Sequence, residues 1–317
     1  MKHLATSIKD RLLNLSRSKG SDFQLLLERF AMGRLLWRLV HSERKFVLKG
    51  AQLFSVWQEM PHRPTRDLDL LSFGSSSVEE MRAYFERVLA TVAEPEDCLA
   101  WTHLDASRIR EDEKYEGVRV EVVAMLERTR IPLQIDIGFG DSIIPAPVEQ
   151  SWRDLLGFPE ARLLTYPPET VIAEKLHAAV ELRMDNSRMK DFFDLDWLCR
   201  HMEFDSPTLH RALKATFAMR GTAWPEETPL ALTAAFGEDR SKQTQWVSFL
   251  RKSRLGADPL PVIIGRLHGF LHPVLFSDDG KSAMKWSPAA GWHHPSSSHA
   301  RPNHRSRSGS LDGTCSD

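Results

Sequence analysis

The stretch "FVLKGAQLFSVWQEMPHRPTRDLDLLSFG" (residues 46–74) puts two aspartates, Asp67 and Asp69, into an otherwise apolar run. Leu68 separates them, and Leu70, Leu71 and Phe73 follow. "DLDLLSF" reads as a strand. Side chains alternate along a strand, so Asp67 and Asp69 share one face, about 7 Å apart. Two carboxylates that close repel, and burying both without compensation is costly. A divalent cation resolves the conflict: Mg2+ takes hard oxygen ligands, often one or two carboxylates together with substrate phosphates. The structural alternative is that one aspartate caps a turn while the other pairs with Arg66 or Arg63. The short pattern alone leaves both open.

Residues on either side extend the first reading. "QIDIGFGD" supplies Asp136 in a second strand otherwise built of Ile, Leu and Phe, with Ile135 and Ile137 pointing to the opposite face. If the two strands are neighbours, a third carboxylate reaches the same place. That set is the framework for metal-assisted phosphoryl transfer. Asp136 also fits a solvent-facing strand position, and Asp141 reads as turn chemistry after Gly140. Upstream, "LKGAQLF" is a strand ending in Lys49 and Gly50 that turns into a helical pattern, which would leave backbone N–H groups open to phosphate. Downstream, "TVIAEKLHAAVELRMDNSRMKDFFDL" places Lys175 on a helix whose apolar stripe includes Val171, Ile172 and Leu176. There it is either a solvated lysine or a phosphate ligand. Arg188, Lys190 and Asp191 fall in the first turn of the next helix. Asp191 and Asp194, three apart, share a helical face.

The rest of the chain sets the frame. Its 317 residues exceed what one core usually serves, so two domains are expected. Strand patterns fill the first half: "FVLKG", "DLDLLSF", "VRVEVVAML" and "IPLQIDIGFG". Prolines punctuate a connection over 140–168, and helical patterns dominate from "PPETVIAEKLHAAVELRM" onward. This is an α+β arrangement: an α/β domain with N-terminal helices over 1–155, then a helical domain over 156–276. Residues 277–317 turn Ser/Pro/Gly/His-rich and read as a disordered tail. His293, His294, His299 and His304 there are a weak metal candidate beside that compositional reading. Formal net charge is −1, so any nucleic-acid contact must come from local basic patches. Cys98, Cys199 and Cys315 show no disulfide or metal-ligand spacing, no apolar run approaches a membrane span, and a cytoplasmic protein is expected.

The strand "FVLKGA" with "RPTRDLDLLSFG", "QIDIGFGD" and "TVIAEKLHAAVELRMDNSRMKDFFDL" together resemble the AbiEii/AbiGii toxin family of nucleotidyltransferases, in the DNA polymerase beta-like superfamily and related to the MenT toxins. The likeness runs from about residue 20 to about residue 255. It implies a polymerase-beta-like nucleotidyltransferase domain with a mixed sheet, a helical C-terminal domain and a nucleotide cleft between them. Carried over by position, Asp67 and Asp69 match the metal pair, with Asp136 as a third carboxylate. Lys175 matches a triphosphate-contacting lysine and Asp191 the acid that follows it, so the catalytic set would be Asp67, Asp69, Lys175 and Asp191. Lys49, Gly50, Arg66, Lys175, Arg188 and Lys190 would bind nucleotide. One departure stands out: the wider superfamily has Gly-Ser after the first strand, whereas this chain has Gly50-Ala51 preceded by Lys49.

The resemblance implies a Mg2+- or Mn2+-dependent toxin that transfers a nucleoside monophosphate from an NTP to an RNA end, with the tRNA 3′ end as the expected acceptor. It also implies a cognate antitoxin; the lack of a span-length apolar run leaves no membrane partner expected. Two other readings remain at this stage. A metal-dependent RNA nuclease would use the same acids without NTP, and a nucleotide-binding regulator would lack catalysis.

Overall fold

The computed structural model describes residues 2–58, 62–109, 117–276 and 283–294. Two helices come first, α1 (Lys2–Lys19) and α2 (Phe23–Val40), the latter opened by Asp22, whose carboxylate accepts from the backbone of Gln24 and Leu25. Strand β1 (Phe46–Lys49) leads through a 3-10 turn (Gly50–Leu53) into the four-residue α3 (Phe54–Trp57). Then come β2 (Asp67–Ser72), α4 (Val78–Leu89), β3 (Leu99–Arg108), β4 (Gly117–Leu126), β5 (Thr129–Phe139), β6 (Val148–Trp152) and β7 (Ala161–Thr165).

These seven strands form one mixed sheet in the order β3-β4-β5-β2-β1-β7-β6. β2 runs parallel to β5 and antiparallel to β1, while β1 runs parallel to β7. The alternation read from "DLDLLSF" and "QIDIGFGD" thus becomes physical adjacency at the sheet's centre. Leu68, Leu70, Ile135 and Ile137 are fully buried and anchor that centre. α2 packs on β5 and β7, α4 on β3. Arg34 and Arg38 of α2 are also buried, and both ion-pair with the buried Asp97, at 3.1 and 2.7 Å. That pairing answers the cost of burying their charge.

The second half is helical: α5 (Pro168–Leu182), α6 (Met189–His201), α7 (Ser206–Met219), α8 (Ala234–Gly237), α9 (Arg240–Ser253) and α10 (Leu260–Leu275). α5 packs against α7 and α6, and α10 against α6 and α8. No helix among the described residues is long and apolar enough to cross a membrane.

Three features differ from the sequence reading. The proline-punctuated connection over 140–168 contains β6 and β7, which pair with each other on either side of residue 155 and attach to β1. β3 was not anticipated; it is an edge strand with most of its side chains exposed, so no apolar stripe marks it. In the segment expected to be disordered, β9 (Lys285–Ser287) and β10 (Gly291–His293) pair and join the two-residue β8 (Phe204–Asp205). Trp286 and Trp292 make the difference. Both rings pack against Phe270, and their indole N–H groups donate to Cys199 O and Phe270 O, each at 2.7 Å. Residues 277–282 and 295–317, with His299 and His304, lie outside the described residues.

Candidate active site

β2 and β5 pair in parallel with Asp69 directly beside Asp136, and β1 pairs with β2 so that Lys49 stands opposite Asp69. Residues opposite one another across adjacent strands share a face. Lys49, Asp67, Asp69 and Asp136 therefore emerge on one side of the sheet, at the wall of a cavity of about 1150 Å³. Helices α5 and α6 bring Lys175, Arg188, Lys190 and Asp191 to the same cavity. Arg66 lines it too, with its side chain 71% exposed and 3.5 Å from the Glu28 carboxylate. Every site residue expected from the sequence is thus brought to one cleft.

The backbone around Gly50 is shaped by Asp69. Gly50 has φ +70, and a Cβ there would sit 2.0 Å from Asp69 Oδ2. Only glycine permits this approach. The helical pattern read after Gly50 holds only as the 3-10 turn and the one-turn α3, with residues 59–61 outside the described residues.

Burial pushes the Asp69 carboxyl up to about 6, and the neighbouring Asp136 and Asp67 add to the rise against the opposing pull of Lys49. Asp67 is exposed. Asp136 is not bare: Arg119 holds it through two hydrogen bonds of 2.8 Å, and Gln134 lies at 3.2 Å. Among the described residues no three His, Cys, Asp or Glu side chains converge as a ready-made metal cluster. The donor set still fits a hard cation, because two same-face carboxylates in a mutually repulsive setting are what such an ion requires. Asp67 and Asp69 would hold it. Asp136 could join them through the lone pairs that Arg119 leaves open.

Lys175 differs from the picture of an open triphosphate contact. Its ammonium lies 2.7 Å from both Asp191 and Asp194, with the side chain 11% exposed. Burial opposes its charge, but the two carboxylates outweigh that effect and hold it above the usual lysine range. Asp191 is also held by Arg188 at 2.6 Å. Burial would push the Asp191 carboxyl up; Lys175 and Arg188 more than reverse this, so it stays below the ordinary carboxylate range. Asp194 is lower still: against the effect of burial it receives Lys175, two bonds from Arg63 at 2.7 and 2.8 Å, and His62 at 2.7 Å. Arg63 and His62 belong to the loop that enters β2, so Asp194 ties α6 to the segment just before Asp67.

A second charged group, which sequence reasoning missed, surrounds Lys49. Asp141 accepts from Lys49 Nζ, from the Tyr166 hydroxyl at 2.9 Å and from Arg220 Nη2 at 3.1 Å. Glu174 lies 3.4 Å from Lys49 Nζ. Asp141 is therefore much more than a turn residue. The one signal in the sequence was a charged residue closing the apolar run "QIDIGFG".

Comparisons with known proteins bear on the family. The family described as "Nucleotidyl transferase AbiEii toxin, Type IV TA system" matches residues 34–269. No curated protein matches the chain. Among solved structures, it is similar to JHP933 from Helicobacter pylori, at 15% identity and TM-score 0.45, covering 76% of this chain and 88% of that one. A putative nucleotidyltransferase from H. pylori is similar at 15% identity and TM-score 0.44, covering 76% and 90%. An antigenic nucleotidyltransferase-like protein from Paracoccidioides brasiliensis matches at 12% identity and TM-score 0.33, covering 75% and 91%. With most of its length matched by that family, and with Asp67, Asp69, Lys175 and Asp191 meeting in one cleft, the chain belongs to the AbiEii nucleotidyl transferase toxin family of type IV toxin–antitoxin systems.

Proposed function

We propose that this protein transfers a nucleoside monophosphate from an NTP to an RNA end, with the tRNA 3′ end as acceptor, and that a cognate antitoxin restrains it. The observation that carries the reading is the central register, Lys49 opposite Asp69 and Asp69 beside Asp136, at the wall of a cleft rich in cations. Asp67 and Asp69 would hold Mg2+ (Mn2+ being the alternative), and that ion would supply neutralising charge to the triphosphate.

The chain's own side chains do the remaining work. Lys190 is exposed in the cleft and close enough to Asp69 to help hold its carboxyl down; with Lys49 and Arg66 it offers charge to phosphate oxygens. Asp191, kept anionic by Lys175 and Arg188, would accept a hydrogen bond from the incoming hydroxyl. Lys175 acts on the nucleotide chiefly through Asp191 and Asp194. In the reaction the oxygen of the acceptor hydroxyl bonds to the α-phosphorus as its proton passes to solvent, the bond to the bridging oxygen breaks, and pyrophosphate leaves.

The test is incubation of the purified protein with each labelled NTP, Mg2+ and total RNA, followed by gel analysis. Labelled, lengthened RNA is expected. Shortened RNA in the absence of NTP would replace this reading with nuclease activity, and unchanged RNA with binding of nucleotide alone would leave a regulator.

A further inference from the structure

Lys49 ends β1 opposite Asp69, so its side chain rises on the face that carries the aspartate pair. It then runs across β5 at Gly138. A Cβ on Gly138 would lie 3.6 Å from Lys49 Nζ and 3.7 Å from Asp141 Oδ2, already in van der Waals contact, so a larger side chain would crowd the ammonium. Two residues on, Gly140 takes φ +81 and turns the chain so that Asp141 faces back over the sheet. The Asp141 carboxylate, its side chain 9% exposed, gathers donors from three separate elements. These are Lys49 from β1, the fully buried Tyr166 just after β7, and Arg220, which caps α7. Burial works against the Asp141 charge, and Lys49, Arg220 and Tyr166 overcome it. Burial instead pushes the Glu174 carboxyl up, so Glu174 is the weaker of the two acids around Lys49. An ammonium has three donors; Asp141 takes one, Glu174 lies near a second, and one remains for the cleft.

We infer that Asp141 is a positioning residue for the nucleotide's phosphates: with Tyr166 and Arg220 it fixes the Lys49 ammonium beside Asp69, so that this cation meets the triphosphate where the chain has alanine at position 51. The inference rests on the nucleotidyltransferase reading above. Left alone, a lysine stem samples many rotamers, and ordering it at binding costs affinity. The Asp141 contact does that ordering in advance. Arg220 joins the helical half to the same carboxylate, so the arrangement also depends on how the two halves meet.

The experiment measures calorimetric binding of Mg·ATP, Mg·GTP, Mg·CTP, Mg·UTP and inorganic triphosphate, with KM and kcat for the preferred NTP. Wild type is compared with Asp141→Asn, Lys49→Met, the double variant and Tyr166→Phe. Asp141→Asn should weaken binding of NTP and inorganic triphosphate alike by about tenfold, raising KM with kcat within about twofold. The double variant should bind no worse than Lys49→Met alone, because the carboxylate acts through the lysine. Tyr166→Phe keeps the carboxylate and should raise KM by about threefold, which gives a reading even if Asp141→Asn folds poorly. Wild-type affinity in both Asp141→Asn and Tyr166→Phe, or additive losses in the double variant, would overturn the positioning role while leaving the transferase reading intact. Failure of the wild type to bind any of these probes would overturn both.

Discussion

Asp69 ionises against burial and, beyond it, two neighbouring carboxylates, and that conflict shows in stability. Its carboxyl is raised from 3.8 to about 6 in the folded chain. A raised folded pKa in an acid means that stability is fully present below the unfolded value and declines as pH rises through the folded one. The window is therefore about pH 4 to 6, and the whole shift is worth on the order of 3 kcal/mol. Asp69→Asn should accordingly raise the melting temperature of the metal-free protein at pH 8, with the gain shrinking toward pH 4, while abolishing nucleotide transfer. Asp67 is exposed, so Asp67→Asn should abolish transfer with stability within about 0.5 kcal/mol of wild type. Melts at both pH values and a single-turnover assay check this; normal transfer in either variant would end the metal role. Lys175 behaves differently. Removing it strands Asp191 and Asp194 as buried charges with fewer partners, so Lys175→Ala should cost about 3–5 kcal/mol of stability as well as activity. Denaturant melts beside the rate assay separate the two losses. A stable, inactive Lys175→Ala would instead point to direct contact with phosphate.

At the scale of elements, legibility followed the range of the interactions that define each one. β2 and β5 were readable because alternation within each strand separates Leu68 and Ile135 from Asp67, Asp69 and Asp136 without reference to anything distant. β7 is held by pairing with β1, more than a hundred residues earlier, and its five residues lie between prolines, so nothing local distinguishes it from a connection. The site divides in the same way. The aspartate pair and the helix carrying Arg188, Lys190 and Asp191 have local signatures. The weight of Asp141, Asp194, Arg63 and His62 appears only when distant elements meet. The C-terminal hairpin was hidden by its Ser- and His-rich surroundings, although Trp286 and Trp292 supplied apolar surface. From this follows a prediction about truncation. Ending the chain at residue 294 should leave stability and transfer unchanged, whereas ending it at 276 uncovers Phe270 and removes both indole hydrogen bonds. The second truncation should lose about 3–5 kcal/mol, as expected when a large aromatic is removed from a core. Equal melting of the two truncated proteins would show that the hairpin contributes nothing.

Across the whole molecule, charge is arranged locally and not in bulk. The formal net charge of −1 provides no general attraction for a polyanion. Many of the cleft's cations are committed inside it: Arg63 to Asp194, Lys175 to Asp191 and Asp194, Arg220 to Asp141, Arg119 to Asp136. Lys252 and Arg254, at the end of α9, are both exposed and line the same cavity. They belong to the helical half, whereas the aspartates lie on the strand face of the same cavity. If the acceptor is a nucleic acid whose end reaches Asp69, its backbone must pass such charges before entering, and each phosphate neutralised releases condensed counterions. Binding of a single strand should then weaken with salt, and each cation removed should lower the log–log slope by about 0.7. Changing both Lys252→Ala and Arg254→Ala should therefore reduce the slope by about 1.4 and raise the acceptor KM, with NTP affinity unchanged. Fluorescence anisotropy of labelled RNA across a salt series, run beside NTP calorimetry, makes the comparison. An unchanged slope would place the acceptor elsewhere on the surface, and a loss of NTP affinity with RNA binding preserved would reassign both cations to the nucleotide.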